Sequence, residues 1–307
     1  MTKVFIDGSA GTTGLRIYER LKERKDIQLI TLPDEFRKDS KKKAEAANNA
    51  DIVFLCLPDA AAIESVGMIT NPNTVVIDTS TAHRTNSEWT YGFPELIGRD
   101  SIKNSKRIAN PGCHASGFIA LVKPLVDAGI IDKNINLSCF SITGYSGGGK
   151  GMIAEYENEG RDSLLSAPRL YALTQQHKHL KEMMQISGIT NEPVFCPIVS
   201  SFYSGMEVSV PLFKKDINGN IEDIKRVYKD KYNEKIVHFN EETSEGGFLS
   251  AAAYSGYDDM EISVCGNEER ILLVARYDNL GKGASGAAIQ NMNILLATNE
   301  EIGLNIK

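Results

Sequence analysis

Short apolar runs closed by turn residues alternate with stretches of helical spacing through the first hundred positions. Val4-Phe-Ile-Asp7, Ile27-Gln-Leu-Ile-Thr-Leu32, Asp51-Ile-Val-Phe-Leu-Cys-Leu57 and Thr74-Val-Val-Ile-Asp78 read as strands. The third is apolar throughout and stops at Pro58, as expected of a parallel strand buried on both faces. Helical spacing follows the first strand through Leu15, Tyr18 and Leu21, and helix formers run from Ala60 to Ile69. Strand–helix alternation predicts a doubly wound parallel sheet. Positions 89–105 read as loop, and Arg107-Ile-Ala-Asn110 as one further strand.

Beyond position 112 the pattern changes. Phe118, Ile119, Leu121, Val122, Leu125 and Val126 mark a helix that Gly129 stops. Asn136–Ile142 alternates polar and apolar residues, the mark of a sheet with one open face. The run Thr143–Gly151 reads as a glycine loop, and Leu180–Ile186 as a helix ended by Gly188. Pro193–Phe202, Met206–Phe213 and Ile236–Phe239 read as strands, and Ile221, Ile224 and Val227 as one face of a helix. Glu261–Cys265 and Arg270–Tyr277 form an expected hairpin, followed by a glycine-rich segment and a last helix through Leu296. The fold class expected is α/β: a Rossmann-like nucleotide domain plus an α+β domain with a largely antiparallel sheet. No linker separates the two, so the site is expected between them.

Composition narrows the partners. The chain has 307 residues, 42% hydrophobic and 24% charged, with a net charge of −6. That balance argues against nucleic acid or an anionic membrane as partner. No run nears the ~18 apolar residues of a membrane helix, and the N-terminus enters a strand without a leader pattern. Five scattered cysteines without a Cys-x-x-Cys pair argue against zinc, other metal sites and a disulfide scaffold, and suit a cytoplasmic location.

Three stretches carry candidate chemistry. Gly8-Ser9-Ala-Gly11-Thr12-Thr13-Gly14 joins a strand to a helix, where glycines admit a pyrophosphate and the helix start supplies N–H donors. A tight turn without ligand reads equally from the glycines alone. Arg37 and Lys38, after the second strand, suit the 2′-phosphate of NADP, or simply form a solvated charged loop. Ser80 and Arg84 follow the fourth strand, at the end where such sheets bind ligands; Arg84 suits an anionic substrate group or a surface ion pair. In Asn110-Pro-Gly-Cys113-His-Ala-Ser-Gly117 the cysteine stands at a helix start, where N–H groups and the macrodipole favour thiolate. A buried structural cysteine is the alternative. His177 and His179 precede a helix carrying Glu182, which is placed to orient an imidazole.

Those blocks, with Asn279-Leu-Gly-Lys-Gly283-Ala-Ser-Gly286 near the end, resemble N-acetyl-γ-glutamyl-phosphate reductases of arginine biosynthesis in their shorter form. The resemblance spans nearly the whole chain. Pro-Gly before the cysteine distinguishes it from aspartate-semialdehyde dehydrogenases. His-Ala-Ser after Cys113, and Lys181 before Glu182, depart from the longer members. The resemblance implies NADPH-dependent reductive dephosphorylation of an acyl phosphate through a Cys113 thioester. His177 is the implied base, Glu182 its partner and His179 the fallback. It implies cofactor contacts from Gly8, Ser9, Gly11, Thr12, Thr13, Gly14, Arg37, Ser80, Asn279 and Gly283. Arg84, Asn110, Ser146 and Gly147 are the expected substrate contacts. Residues 1–112 with 282–307 would form the NADP domain, and 113–281 the catalytic domain of a homo-oligomer, dimer or tetramer. The rival readings are an aspartate-semialdehyde dehydrogenase-like enzyme and a non-catalytic NADP-binding regulator.

Overall fold

A computed structural model describes residues 1–307. Its strands are β1 (Thr2–Asp7), β2 (Ile27–Ile30), β3 (Ile52–Leu55), β4 (Val75–Asp78), β5 (Thr90–Tyr91), β6 (Arg107–Ala109), β7 (Ser138–Gly144), β8 (Arg169–Leu170), β9 (Val194–Ser200), β10 (Met206–Phe213), β11 (Val237–Phe239), β12 (Met260–Gly266) and β13 (Arg270–Tyr277). The helices are α1 (Thr12–Leu21), α2 (Ser40–Asn48), α3 (Asp59–Met68), α4 (Pro94–Ile97), α5 (Arg99–Lys103), α6 (Cys113–Asp127), α7 (Gly149–Glu157), α8 (Leu180–Ser187), α9 (Ile221–Lys231) and α10 (Gly286–Leu295). They fall into two compact units, Met1–Gly112 with Ala284–Leu304, and Cys113–Gly283 with Asn305–Lys307.

The first unit is a parallel six-stranded sheet in the order β2-β1-β3-β4-β6-β5. Strand residues alternate between two cores, which is why these runs are apolar at every position. Val4, Ile6, Ile52, Phe54 and Ile77 pack with Ile17 and with Ala288, Ile289 and Met292 of α10. Phe5, Val53, Leu55 and Val76 pack on the other side with Ala46, Ala47 and Ala62. The strand order reverses between β1 and β3, the place where such sheets open a ligand crevice. Positions 89–105, expected as loop, instead form β5, α4 and α5, all too short to leave a periodic signal.

The second unit is a seven-stranded sheet, β11-β12-β13-β10-β7-β9-β8. Pairs β11–β12 and β7–β9 are parallel and the others antiparallel. One face is covered by α6, α8 and α9, while the other leaves Phe140 and Leu272 exposed. Helix α6 is buried along nearly its whole length despite Pro124 inside it. That proline cannot donate to the Ala120 carbonyl, which accepts instead from Tyr232 Oη at 2.6 Å. The segment Thr143–Gly151, expected as a loop, finishes β7, makes a 3₁₀ turn and enters α7. Stacking of Tyr145 on Tyr156, with centroids 4.8 Å apart, stabilises this segment against its low helix propensity.

Candidate active site

In the first unit, β1 runs into the glycine loop. Gly8 has φ +85, and a Cβ there would stand 2.2 Å from the Cys56 carbonyl oxygen, so only glycine permits this turn. Gly14 packs on the same turn, with a Cβ reaching 2.4 Å from the Gly8 carbonyl oxygen. Gly11 N–H donates to Gly8 O at 2.9 Å, and Gly11 then caps α1 without a side-chain bond. No acid lies in the first turn, so the N–H groups at Thr12 and Thr13 face no competing carboxylate. Thr12 Oγ1 is buried without a hydrogen-bond partner. An anionic nucleotide fits this loop on both counts: donors at a helix start and an unmet buried hydroxyl. Ser9 stands beside it, partly exposed. Arg37 is exposed and pairs with Asp34 at 2.8 Å, so part of its charge is already met.

At the end of β4, Ser80 Oγ donates to Asp78 at 2.7 Å, and the His83 ring meets the same carboxylate at 2.7 Å. Arg84 is buried, and its Nε and Nη2 donate to the carbonyls of Asn110 and Thr79, each at 2.9 Å. Asn110 is also buried, with Nδ2 donating to Ala284 O at 2.9 Å. These two expected substrate contacts therefore brace the strand ends from which the Pro-Gly-Cys block departs.

In the second unit, Cys113 is the first residue of α6, partly exposed, with no acid in the first turn. The next residue, His114, is buried. Its Nδ1 lies 2.6 Å from Ser141 Oγ on β7, and its Nε2 2.6 Å from Tyr171 Oη. Burial, helped by the neighbouring His177, pushes its pKa down to about 3. Neutral His114 is thus a structural tie from α6 to the sheet. Tyr171 stands close enough to Cys113 to feel its charge; burial, the larger cause, and that charge both push its pKa up.

His177 and His179 join this cluster. Their rings are 4.7 Å apart, and each lies 5.7 Å from the His114 ring. Burial, then the Lys178 charge, lowers His177 to about 4, so its neutral form prevails at neutral pH. Its Nδ1 accepts from the His179 N–H at 3.2 Å, which places the ring proton on Nε2 in this arrangement. Glu182 is buried in the first turn of α8. Tyr277, at the end of β13, feels both Cys113 and Glu182; burial first, then Cys113, raises its pKa. Cys113, Tyr171, the histidines, Glu182 and Tyr277 therefore share one neighbourhood.

The glycine-rich segment after β13 is a π-helical turn, Gly281–Ser285. A Cβ on Gly283 would lie 3.1 Å from Cys113 Cβ. Asn279 accepts from the Gly205 N–H at 2.9 Å and donates to Ser146 Oγ at 3.0 Å. Gly147 lies against the same amide. The residues expected to face cofactor and substrate, Asn279 and Ser146, thus bind one another. Sequence reasoning missed Tyr171, Ser141 and Tyr277: Tyr171 lies just past β8, and Ser141 and Tyr277 on strands where nothing local marks them. It also missed Asp278, whose carboxylate accepts from Leu280 N, Gly281 N and Ser204 Oγ.

Comparison with known proteins matches this arrangement to a family. Residues 34–105 match the semialdehyde dehydrogenase NAD-binding domain family, and residues 113–279 the semialdehyde dehydrogenase dimerisation domain family. N-acetyl-γ-glutamyl-phosphate reductase 2 of Nostoc sp. is 42% identical, covering 98% of this chain and 99% of its own. The N-acetyl-γ-glutamyl-phosphate reductase of Chelativorans sp. is 43% identical, covering 96% and 98%. The chain belongs to the N-acetyl-γ-glutamyl-phosphate reductase family. Among solved structures, aspartate semialdehyde dehydrogenase II of Vibrio cholerae has a TM-score of 0.72 at 16% identity, covering 97% of this chain and 99% of that one. The Candida albicans aspartate semialdehyde dehydrogenase, solved with NADP, gives 0.71 at 15%, covering 97% and 99%. At such identities the likeness establishes the fold alone. Membership of the reductase family therefore rests on the full-length relatives. No helix is long and apolar enough to cross a membrane.

Proposed function

We propose that this reductase-family protein converts N-acetyl-L-glutamyl 5-phosphate and NADPH to N-acetyl-L-glutamate 5-semialdehyde, phosphate and NADP, in the cytoplasm. The observation that carries the reading is Cys113 at the start of α6, with no acid in that turn, next to His114, whose ring lies 5.7 Å from each of the His177 and His179 rings. Cys113 attacks the acyl carbon, its thiol proton passes to neutral His177, and the C–O bond to phosphate breaks. The proton then leaves with the phosphate, and a thioester remains on the sulfur. Bound NADPH supplies the hydride that reduces this thioester. First-turn N–H groups of α6 stabilise the oxyanion, which collapses to aldehyde and expels the Cys113 thiolate. The Gly8–Gly14 loop would hold the pyrophosphate of the cofactor, and Arg37, now paired with Asp34, would hold its 2′-phosphate. Glu182 orients the histidine pair.

The uncovered sheet face of the second unit, with Phe140 and Leu272 exposed, and the family's dimerisation domain support a homo-oligomer built on that face. The test of function is an assay in the phosphate-dependent oxidative direction, with NADP and each semialdehyde. Turnover of N-acetylglutamate semialdehyde at least about a hundredfold above aspartate semialdehyde is expected. The reverse preference assigns the protein to the sister activity, and no turnover of either favours a regulator.

A further inference from the structure

The first turn of α6 contains a hydroxyl. In a regular helix the Gly117 N–H would bond to the carbonyl four residues back, that of Cys113. Helix α6 is regular from Cys113 onward, and its Gly117 N–H also donates to Tyr277 Oη at 3.0 Å, while the phenol donates its own proton to the Cys113 carbonyl at 2.5 Å. Tyr277 is fully buried at the end of β13, in the interior of the second unit. Glycine at 117 is what lets the ring tip approach. A Cβ there would stand 2.7 Å from the phenol oxygen and 2.7 Å from Val208 Cγ2. Gly283 meets the nucleophile from another direction, where a Cβ would lie 3.1 Å from Cys113 Cβ. The proposed mechanism uses the sulfur and no atom of Tyr277, yet this side chain is bonded to the nucleophile's own backbone.

We propose that Tyr277 is a positioning residue for Cys113, its hydroxyl tying the first turn of α6 to the end of β13 and so fixing where the sulfur stands. The proposal rests on Cys113 being the nucleophile. Burial, with Cys113 and Glu182 nearby, raises the phenol's pKa and keeps it protonated, so it donates at every working pH. Removing the oxygen orphans neither group, because the Gly117 N–H and the Cys113 carbonyl remain paired within α6. The first turn of α6 then loses its tie to β13, and the Cys113 sulfur is free to shift from its place. A shift of about 1 Å at a reacting atom costs on the order of a hundredfold in rate.

The test is Tyr277→Phe, read first without turnover. Carbamidomethylation of Cys113 by iodoacetamide at about pH 9.5, where thiols are ionised, followed by mass spectrometry, is expected to slow about tenfold, with melting temperature nearly unchanged. In turnover, kcat is expected to fall about 10- to 100-fold with KM within about twofold. Replacing Tyr277 by 4-aminophenylalanine, which both donates and accepts, is expected to restore the alkylation rate to within about threefold. A wild-type alkylation rate in the folded phenylalanine variant overturns the proposal, as does failure of the amino analogue to restore a slowed rate. If the phenylalanine variant does not fold, the amino analogue compared with the wild type decides, and a tenfold slower alkylation overturns the proposal. Absence of reductase turnover in the wild type would overturn the functional reading, and the alkylation comparison is read independently of it.

Discussion

Gln175 clamps the backbone of Phe195: its Nε2 donates to the Phe195 carbonyl at 2.7 Å, and its Oε1 accepts from the Phe195 N–H at 2.8 Å. The amide thereby imitates a strand neighbour along β9, two residues before His177. The segment it anchors is bent tightly, with Ala172 at φ +53 and Gln175 at φ +56, a region non-glycine residues seldom occupy. Such a bend persists only when its surroundings hold it. Gln175→Ala is therefore expected to lower kcat about tenfold and to cost about 2 kcal/mol, near 1 kcal/mol per lost bond. Steady-state kinetics and a denaturant melt check both, and wild-type kcat in the variant would show that His177 needs no such anchor.

Cys113→Ser should retain the fold and bind NADPH with unchanged affinity, since the Gly8–Gly14 loop belongs to the other unit. A serine hydroxyl ionises far less readily than a thiol, so turnover should drop by at least about a thousandfold. Fluorescence titration of NADPH and the phosphate-dependent assay measure the two sides. Substantial turnover with serine in place would rule out the thioester route.

The two imidazoles are separable by kinetics and by pH. His177→Asn is expected to lower kcat by about 10² to 10⁴. If His179→Asn produces that loss instead, His179 is the proton acceptor. Because burial and Lys178 lower His177 to about 4, its neutral form is fully populated well below pH 6.5. The acid limb of kcat/KM due to this base should therefore lie near pH 4. A limb near pH 6.5 that vanishes in His177→Asn would contradict this placement. Binding a thiol proton on Nε2 also requires the ring to move its own proton to Nδ1 and give up the His179 amide bond.

Sequence pattern was most informative where burial is one-sided or complete. The strands around Phe5, Val53 and Val76 are apolar because both faces of their sheet are covered, and the hairpin Met260–Gly266 with Arg270–Tyr277 carries its alternation openly. The helix of Leu180–Ser187 ends at Gly188 in the left-handed region, as a C-terminal glycine suggests. The glycine run Thr143–Gly151 misled where it was read as a loop. Gly148 lies against Met152 and Gly281 against the Tyr257 carbonyl, so these glycines serve close packing within helical turns. The setting of the cysteine was legible as a helix start, but its support was not. Tyr277 lies 164 positions from Cys113 in the chain, and no local pattern records a bond over that distance.

His114 makes stability depend on pH. Its ordinary pKa of 6.5 applies in the unfolded chain, while burial, aided by His177, holds it at about 3 when folded. The folded state therefore refuses a proton that the unfolded state accepts. The stability is complete above pH 6.5 and is lost as pH falls from there toward 3, at about 1.4 kcal/mol per pH unit for this one group. His177, lowered to about 4, acts in the same direction. At pH 5, unfolding should take up about two protons from these residues. His114→Gln should take up one fewer, which calorimetry in buffers of different ionisation enthalpy measures. Equal uptake by variant and wild type would mean that His114 is protonated in the folded protein.

The open sheet face gives the last prediction. Phe140 on β7 is 45% exposed and Leu272 on β13 is 36% exposed, while Phe140 lies opposite Ser209 and Leu272 opposite Pro211, both on β10. Phe140 and Leu272 therefore flank β10 on one face of the sheet, and apolar side chains exposed on such a face mark an association surface. A twofold interface there would bring each such position against its symmetry mate or a near neighbour. Phe140→Asp combined with Leu272→Asp places like charges across that contact, so the variant should elute as a monomer where the wild type elutes as a dimer or tetramer. Circular dichroism of the variant should remain native, because neither side chain belongs to a buried core. Light scattering across dilution decides the matter: a doubly charged variant that keeps the wild-type mass would place the subunit interface elsewhere on the molecule.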